Sequence, residues 1–115
     1  MIGIDIADTA RFVKLKKEDF PYWEKYFTQG EWGYSFGKAN PEEHLSGIFA
    51  AKEAVMKALG GEFVGRFDKI QIIHSEGGQP IALIQNEKRN VEVSISHDHG
   101  VSVAVAINLD SIKGT

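Results

Sequence analysis

Residues 40–61, NPEEHLSGIFAAKEAVMKALGG, contain the clearest helix signals in the chain. Asn40 can act as an N-cap, Pro41 suits the first helical position, and Glu43 completes the spacing of a capping box. Apolar residues then recur at helical intervals, at Leu45, Ile48, Phe49, Val55, Met56 and Leu59. The two glycines that follow stand where a left-handed residue ends a helix. The stretch therefore predicts one long amphipathic helix.

A strand pattern stands at the N-terminus, in MIGIDIADTARF at residues 1–12. Three isoleucines alternate with Gly3 and Asp5, so one face of this strand is apolar and the other carries the glycine and the acid. The residues that follow, DTARFVKLKK at 8–17, predict a short helix.

Four more strand patterns follow the long helix, at residues 69–75, 80–86, 90–97 and 101–109. The first two flank EGGQ, a plausible hairpin turn, and the last two flank the turn-like DHG. This order of segments predicts an α+β fold. We expect a small single domain over residues 1–115, with an antiparallel sheet packed on the long helix.

The composition excludes several classes of function. A net charge of −3 argues against a general nucleic-acid binder, and the absence of cysteine excludes disulfides, thiol catalysis and cysteine metal sites. The sequence has no apolar run long enough for a membrane span, and its first residues lack the order of a signal peptide. We therefore expect a cytoplasmic protein with no membrane partner.

Two local biases stand out. RFVKLKK at residues 11–17 holds four positive residues and no acid, which suits either a solvated helix face or a docking patch for an acidic partner. Residues 20–36 hold eight of the chain's aromatic side chains, which predicts packing beneath short helices or at a subunit contact.

Glu53 and Lys57 are the first candidate site residues, and they lie one helical turn apart. Alone, they are a surface ion pair worth about 0.3–0.5 kcal/mol. With Asp5 as a second carboxylate, the set suits Mg²⁺, which takes one or two carboxylates and completes its shell with waters and phosphate oxygens. Lys57 could then reach a phosphate. His97, at a strand end, could contact a phosphate or a sugar, whereas its neighbours in the strand cannot form a triad with it.

Three motifs, GIDI at 3–6, FAAKEAVMKALG at 49–60 and SISHDHGVSVAVAI at 94–107, together resemble the 4′-phosphopantetheinyl transferases. The length and motif order are similar to the holo-acyl-carrier-protein synthase type, although residues 16–46 match poorly. The resemblance implies Mg²⁺-dependent transfer of 4′-phosphopantetheine from coenzyme A (CoA) to a serine of an acyl carrier protein, with release of 3′,5′-ADP. It also implies a homotrimer with active sites between subunits.

The resemblance assigns roles to individual residues. Asp5 and Glu53 match the metal-ligand acids, and Lys57 matches a lysine that contacts CoA phosphate, so these three form the expected catalytic set. The expected nucleotide contacts are Lys52, Lys57, Gly60, Gly78, Pro80 and His97. Arg11, with Lys14, matches the basic first helix that docks the carrier protein. Either Glu53 or a water on the metal would take the serine proton.

One position departs from the family pattern, because Ile48 stands where a basic CoA contact is often found. This departure concerns nucleotide affinity or selectivity and leaves the metal site intact. Two other functions stay open on the sequence alone. One is a non-catalytic module that binds CoA or a nucleotide, and the other is a different Mg²⁺-dependent phosphate-ester enzyme.

Overall fold

The computed structural model describes residues 1–111, so the last four residues of the predicted domain lie outside the described residues. Its strands and helices in chain order are β1 (Ile2–Asp8), α1 (Phe20–Trp23), α2 (Gln29–Phe36), α3 (Pro41–Ala58), β2 (Ile70–His74), β3 (Pro80–Ile84), β4 (Glu87–Lys88), β5 (Val91–Asp98) and β6 (Val101–Asn108). Within this described part, no helix combines the length and hydrophobicity that a membrane span requires.

The strands form two antiparallel sheets of three strands each, in the orders β1-β6-β5 and β2-β3-β4. Helix α3 packs across the first sheet and also contacts β2 of the second. The predicted α+β architecture, with antiparallel strands packed on a long helix, is confirmed. The predicted β2–β3 hairpin is also confirmed, with Ile72 opposite Ala82.

Helix α3 begins at Pro41 and ends at Ala58, as its sequence predicts. The Asn40 side chain makes no capping hydrogen bond, and instead the Asn40 carbonyl accepts from the Glu43 N–H at 3.1 Å. The small residues of the helix are buried, so neighbouring backbone can approach closely.

The approach is closest at Gly3 of β1. A Cβ on Gly3 would lie 1.9 Å from the Ala54 carbonyl oxygen and 2.8 Å from the Ala58 nitrogen, so only glycine fits. Strand and helix therefore meet backbone to backbone. Because side chains alternate along a strand, Asp5 faces the same helix.

The three isoleucines of β1 consequently face away from α3. Ile2, Ile4 and Ile6 are 66%, 58% and 66% exposed. Ile4 lies opposite Val105 and Ile6 opposite Val103, so the apolar surface continues onto β6. We call this surface, formed by Ile2, Ile4, Ile6, Val103, Val105 and Ile107, the outer sheet face.

The predicted helix at 8–17 is reduced to a single 3-10 turn at Thr9–Arg11. The Thr9 N–H and Oγ1 both donate to the Gly100 carbonyl, at 2.9 and 3.0 Å, which ties this segment to the β5–β6 turn. The aromatic residues that follow pack beneath short helices as predicted, apart from Tyr22, which is 81% exposed. Phe27 and Trp32 are buried, with ring centroids 5.8 Å apart.

Candidate active site

Asp5, Glu53 and Lys57 meet where β1 crosses the second half of α3. Lys57 Nζ donates to Asp5 Oδ1 at 3.2 Å and to the Ile4 carbonyl at 2.8 Å. The Asp5 side chain is 14% exposed and that of Lys57 is 56% exposed. The predicted pairing of strand acid and helix residues is therefore present, with Lys57 at its solvent side.

Glu53 shares its surroundings with Asp5. Partial burial raises the pKa of the Glu53 carboxyl, and the neighbouring Asp5 raises it further through its charge and a side-chain hydrogen bond. Lys57 and Arg11 act in the opposite direction. Two carboxyl groups held side by side against their mutual repulsion form a set of oxygen donors for a cation.

This donor set fits Mg²⁺. Among residues 1–111, no group of three or more histidine, cysteine or acidic side chains converges as a metal site. Mg²⁺ commonly uses one or two carboxylates and takes its other ligands from water and substrate phosphates. A site with two carboxylates therefore suits Mg²⁺ better than a metal that needs a complete protein shell.

Gly60 lies at the same end of α3. It adopts φ = +72°, and its N–H donates to the Lys57 carbonyl at 3.1 Å. A left-handed residue here ends the helix about two turns beyond Glu53.

A second group of predicted residues lines a cleft near the start of α3. Gly78 adopts φ = +84° in the β2–β3 turn, and its N–H donates to the Ser75 carbonyl at 2.9 Å. Gly78, Pro80 and His97 line this cleft together with Ile48. Its other lining residues are Tyr34, His44, Gly47, His74 and Ile95. We call it the histidine cleft, because three of its lining residues are histidines.

His97 is held in the histidine cleft by a chain of hydroxyl groups. Its Nδ1 lies 2.7 Å from Ser102 Oγ, which lies 2.6 Å from Ser46 Oγ, and Ser46 donates to the Glu43 carbonyl. A Cβ on Gly47 would lie 2.8 Å from His97 Cε1, so the imidazole packs directly on the α3 backbone. Both serines are fully buried, which fixes the orientation of the ring.

The carboxylate pair and the histidine cleft lie on opposite faces of α3. Ile48 and Lys57 are nine residues apart, which is about two and a half turns and about 14 Å along the axis. One chain thus presents the two groups of predicted residues in different directions.

Lys52 lies elsewhere. Its side chain is 1% exposed, and its Nζ donates to Glu31 Oε1 at 2.8 Å and to the Tyr26 carbonyl at 2.9 Å. The expectation that Lys52 approaches the nucleotide is therefore corrected. Its ammonium group is inside the protein, where it neutralises the buried Glu31.

Arg11 stands beside the carboxylate pair. Its guanidinium carbon lies 4.7 Å from the centroid of the Phe49 ring, and its charge lowers the pKa of Glu53. Lys14 is exposed three residues further along. The basic segment thus borders the carboxylate pair.

Sequence reasoning missed Tyr34, His44 and His74, which line the same cleft as His97. They come from α2, α3 and β2, so their proximity depends on the tertiary fold. One signal was available, because His44 precedes Ile48 by four residues and shares its helix face.

Comparisons with known proteins identify relatives of this chain over most of its length. The family model of the 4′-phosphopantetheinyl transferase superfamily matches residues 1–108. The holo-[acyl-carrier-protein] synthase of Thermodesulfovibrio yellowstonii is 36% identical over 107 residues, covering 92% of this chain and 95% of the relative. The crystal structure of the Helicobacter pylori holo-[acyl-carrier-protein] synthase with coenzyme A has a TM-score of 0.78 at 32% identity, covering 93% of this chain and 98% of that one. The Bacillus anthracis synthase with CoA (3′,5′-ADP) has a TM-score of 0.71 at 31% identity, covering 91% of each chain.

Proposed function

Because this chain belongs to the 4′-phosphopantetheinyl transferase superfamily, we propose roles for its residues in the reaction of that family. The chain is an enzyme that transfers 4′-phosphopantetheine from CoA to a serine of an acyl carrier protein. The observation that carries the proposed roles is the meeting of Asp5, Glu53 and Lys57 between β1 and α3.

The reaction exchanges one phosphorus–oxygen bond for another. The serine oxygen of the carrier bonds to the phosphorus on the pantetheine side of the CoA pyrophosphate, and the bond from this phosphorus to the bridging oxygen breaks. The electron pair leaves with 3′,5′-ADP, and the serine proton passes to a base. Catalysis of such transfers relies on positioning and on charge neutralisation.

Asp5 and Glu53 would hold Mg²⁺, and the ion, when bound, neutralises charge on the pyrophosphate. Lys57 is the cation of this group. More than half of its side chain is exposed, so Nζ can turn from Asp5 to a phosphate oxygen without movement of α3. In that position Lys57 stabilises the charge that develops on the leaving nucleotide.

The complete site would lie between subunits of a homotrimer. Opposite faces of α3 carry the carboxylate pair and the histidine cleft, so two neighbouring subunits can contribute one of each to a single CoA. The outer sheet face supports this assembly, because such a continuous apolar surface is typical of a contact between proteins. Each subunit would then provide half of two sites.

Arg11 and Lys14 would dock the carrier. Acyl carrier proteins of this type are acidic, and local positive charge speeds their encounter with an otherwise acidic enzyme. The position of Arg11 beside Glu53 would bring the carrier serine close to the carboxylate pair.

Mass spectrometry of an apo carrier incubated with the protein, CoA and Mg²⁺ tests the function. We expect the carrier to gain one phosphopantetheine group, and we expect Asp5→Ala and Glu53→Ala to abolish this gain while remaining folded. CoA binding without any change of the carrier would instead favour the non-catalytic module. Release of phosphate from other esters would favour a different enzyme.

A mixing experiment tests the composite site. Asp5→Ala lacks the carboxylate half and His97→Ala lacks the cleft half, so each variant alone should be impaired. After mixing and subunit exchange, about one quarter of the subunit contacts would pair two intact halves, and activity should return. Mixtures no more active than the separate variants would place the whole site within one chain.

A further inference from the structure

The histidine cleft brings together three imidazoles from three different elements. The ring centroids of His44 and His97 are 6.2 Å apart. The Tyr34 ring stacks on His74 at 3.9 Å with an interplanar angle of 2°, and it meets His44 edge-on at 5.6 Å. Packing thus holds each ring at the wall of the cleft.

His44 is one of the two cleft histidines whose imidazole pKa is lowered by its surroundings. Burial lowers the pKa of its imidazole, and the nearby His97 and Lys38 lower it further. Glu43 and Glu42 have weaker and opposite effects. The environment of His44 therefore disfavours its cationic form while the cleft contains no anion.

His74 has a similar environment. Burial is the main cause that lowers the pKa of its imidazole, followed by the charges of His44 and Lys38. The Lys38 ammonium lies 4.8 Å from the centroid of the Tyr34 ring, and the same ring stacks on His74. The charged groups that lower the pKa values of His44 and His74 are thus basic side chains.

This composition suits an anion. Of the described residues that line the cleft, none is acidic, and they include no converging group of metal ligands. An anion placed among the imidazoles would favour their protonated forms, because an opposite charge within about 4–6 Å raises the pKa of a base. Each protonated ring could then donate a hydrogen bond to the anion.

We infer that His44 and His74, beside His97, form a protonatable subsite for the phosphomonoester of CoA, in place of the basic side chain that Ile48 lacks. His44 lies one helical turn before Ile48 on the same face of α3, and His74 lines the same cleft. The inference rests on the proposed function, since it concerns the nucleotide half of the same substrate. Its consequence is that the protein takes up protons when CoA binds.

Isothermal titration calorimetry near pH 7 tests this consequence, with CoA as the probe in buffers that differ in heat of ionisation. At about pH 7 a phosphomonoester, with a second pKa near 6, is already mostly a dianion and releases few protons. We expect the wild-type protein to take up roughly one proton for each CoA bound. Dephospho-CoA, which lacks the phosphomonoester, should bind more weakly and take up almost none.

Variants separate the cleft from other titrating groups. His44→Gln and His74→Gln should each bind CoA several-fold more weakly at pH 6 and take up fewer protons, with little effect on dephospho-CoA. His99→Gln is the matched control, because this histidine is 91% exposed in the β5–β6 turn. Equal proton uptake with CoA and dephospho-CoA would overturn the subsite, even if both variants fail to fold.

The outcomes also separate the subsite from the proposed function. Transfer activity without CoA-linked proton uptake would refute the subsite and leave the function in place. Failure of the wild-type protein to bind CoA at all would refute the function itself.

Discussion

The buried pair of Lys52 and Glu31 provides the sharpest test of how this fold is stabilised. Glu31 Oε1 accepts from Lys52 and from the Thr28 N–H, both at 2.8 Å, and Oε2 accepts from the Ile72 N–H at 2.7 Å. One carboxylate therefore joins α2, α3 and β2. Both side chains are almost fully buried, at 1% and 0% exposure.

Lys52→Met keeps the length of the side chain and removes its charge. The Glu31 carboxylate would retain two backbone donors but lose its counterion, and breaking a buried pair in this way costs about 3–5 kcal/mol. For a chain of this size, the midpoint of thermal unfolding falls by about 4 °C for each kcal/mol of lost stability. Lys52→Met should therefore lower this midpoint by about 12–20 °C. Thermal unfolding followed by circular dichroism, at a fixed protein concentration, measures this change.

Two further variants make the result interpretable. Arg66→Met removes a cation from an ion pair with Asp68 that is more than half exposed, and it should leave the midpoint almost unchanged. Glu31→Gln combined with Lys52→Met should cost less than the sum of the single changes, by about 0.5–3 kcal/mol. A loss below about 1 kcal/mol for Lys52→Met, the range of exposed ion pairs, would show that the buried pair contributes no more than a surface pair.

Three other predictions follow from the contacts around α3. Gly3→Ala should prevent stable folding, because the added Cβ would overlap the α3 backbone. In α2, a Cβ on Gly33 would meet nothing within 4 Å, so Gly33→Ala should raise the free energy of unfolding by roughly 0.5–1 kcal/mol in chemical denaturation. Without metal, the raised pKa of Glu53 means that the folded protein is destabilised as the pH rises and this carboxyl loses its proton. Glu53→Gln should therefore increase the midpoint of thermal unfolding at neutral pH and abolish any further increase on adding Mg²⁺. A lower midpoint would contradict the repulsion between Glu53 and Asp5. Arg11→Ala with Lys14→Ala should raise the KM for the carrier, most strongly at low salt, and leave the KM for CoA nearly unchanged; the reverse pattern in steady-state kinetics would assign the basic segment to the nucleotide.

The sequence predicts α3 well because its signals are local. Pro41 at the start, the apolar repeat and the glycines at the end all act within one element, and the helix has the predicted bounds. The chemistry of Asp5 and Glu53 suits a shared Mg²⁺ site, but only the resemblance to known proteins made their pairing the favoured interpretation. The two acids are far apart in the chain, and no local pattern joins a strand acid to a helix acid.

The failures have tertiary causes. Alternation in β1 separates the isoleucines from Gly3 and Asp5, but it does not say which set faces the helix. The close contact at Gly3 decides this and turns the larger side chains outward. Likewise, nothing near Lys52 in the sequence reveals Glu31 as its partner, and an exposed role was the natural expectation for a lysine beside Glu53.

The contact between Gly3 and the backbone of α3 also bears on how freely this enzyme can be redesigned. Where two elements meet through side chains, a change of core volume alters the distance between them. Here main-chain atoms meet directly, so the spacing of β1 and α3 does not depend on the size of any side chain at that point. In combinatorial libraries that exchange the aromatic residues beneath α1 and α2, this main-chain contact would remain a fixed point between β1 and α3. Core composition can change around such a contact while the spacing of the two elements at that point is kept.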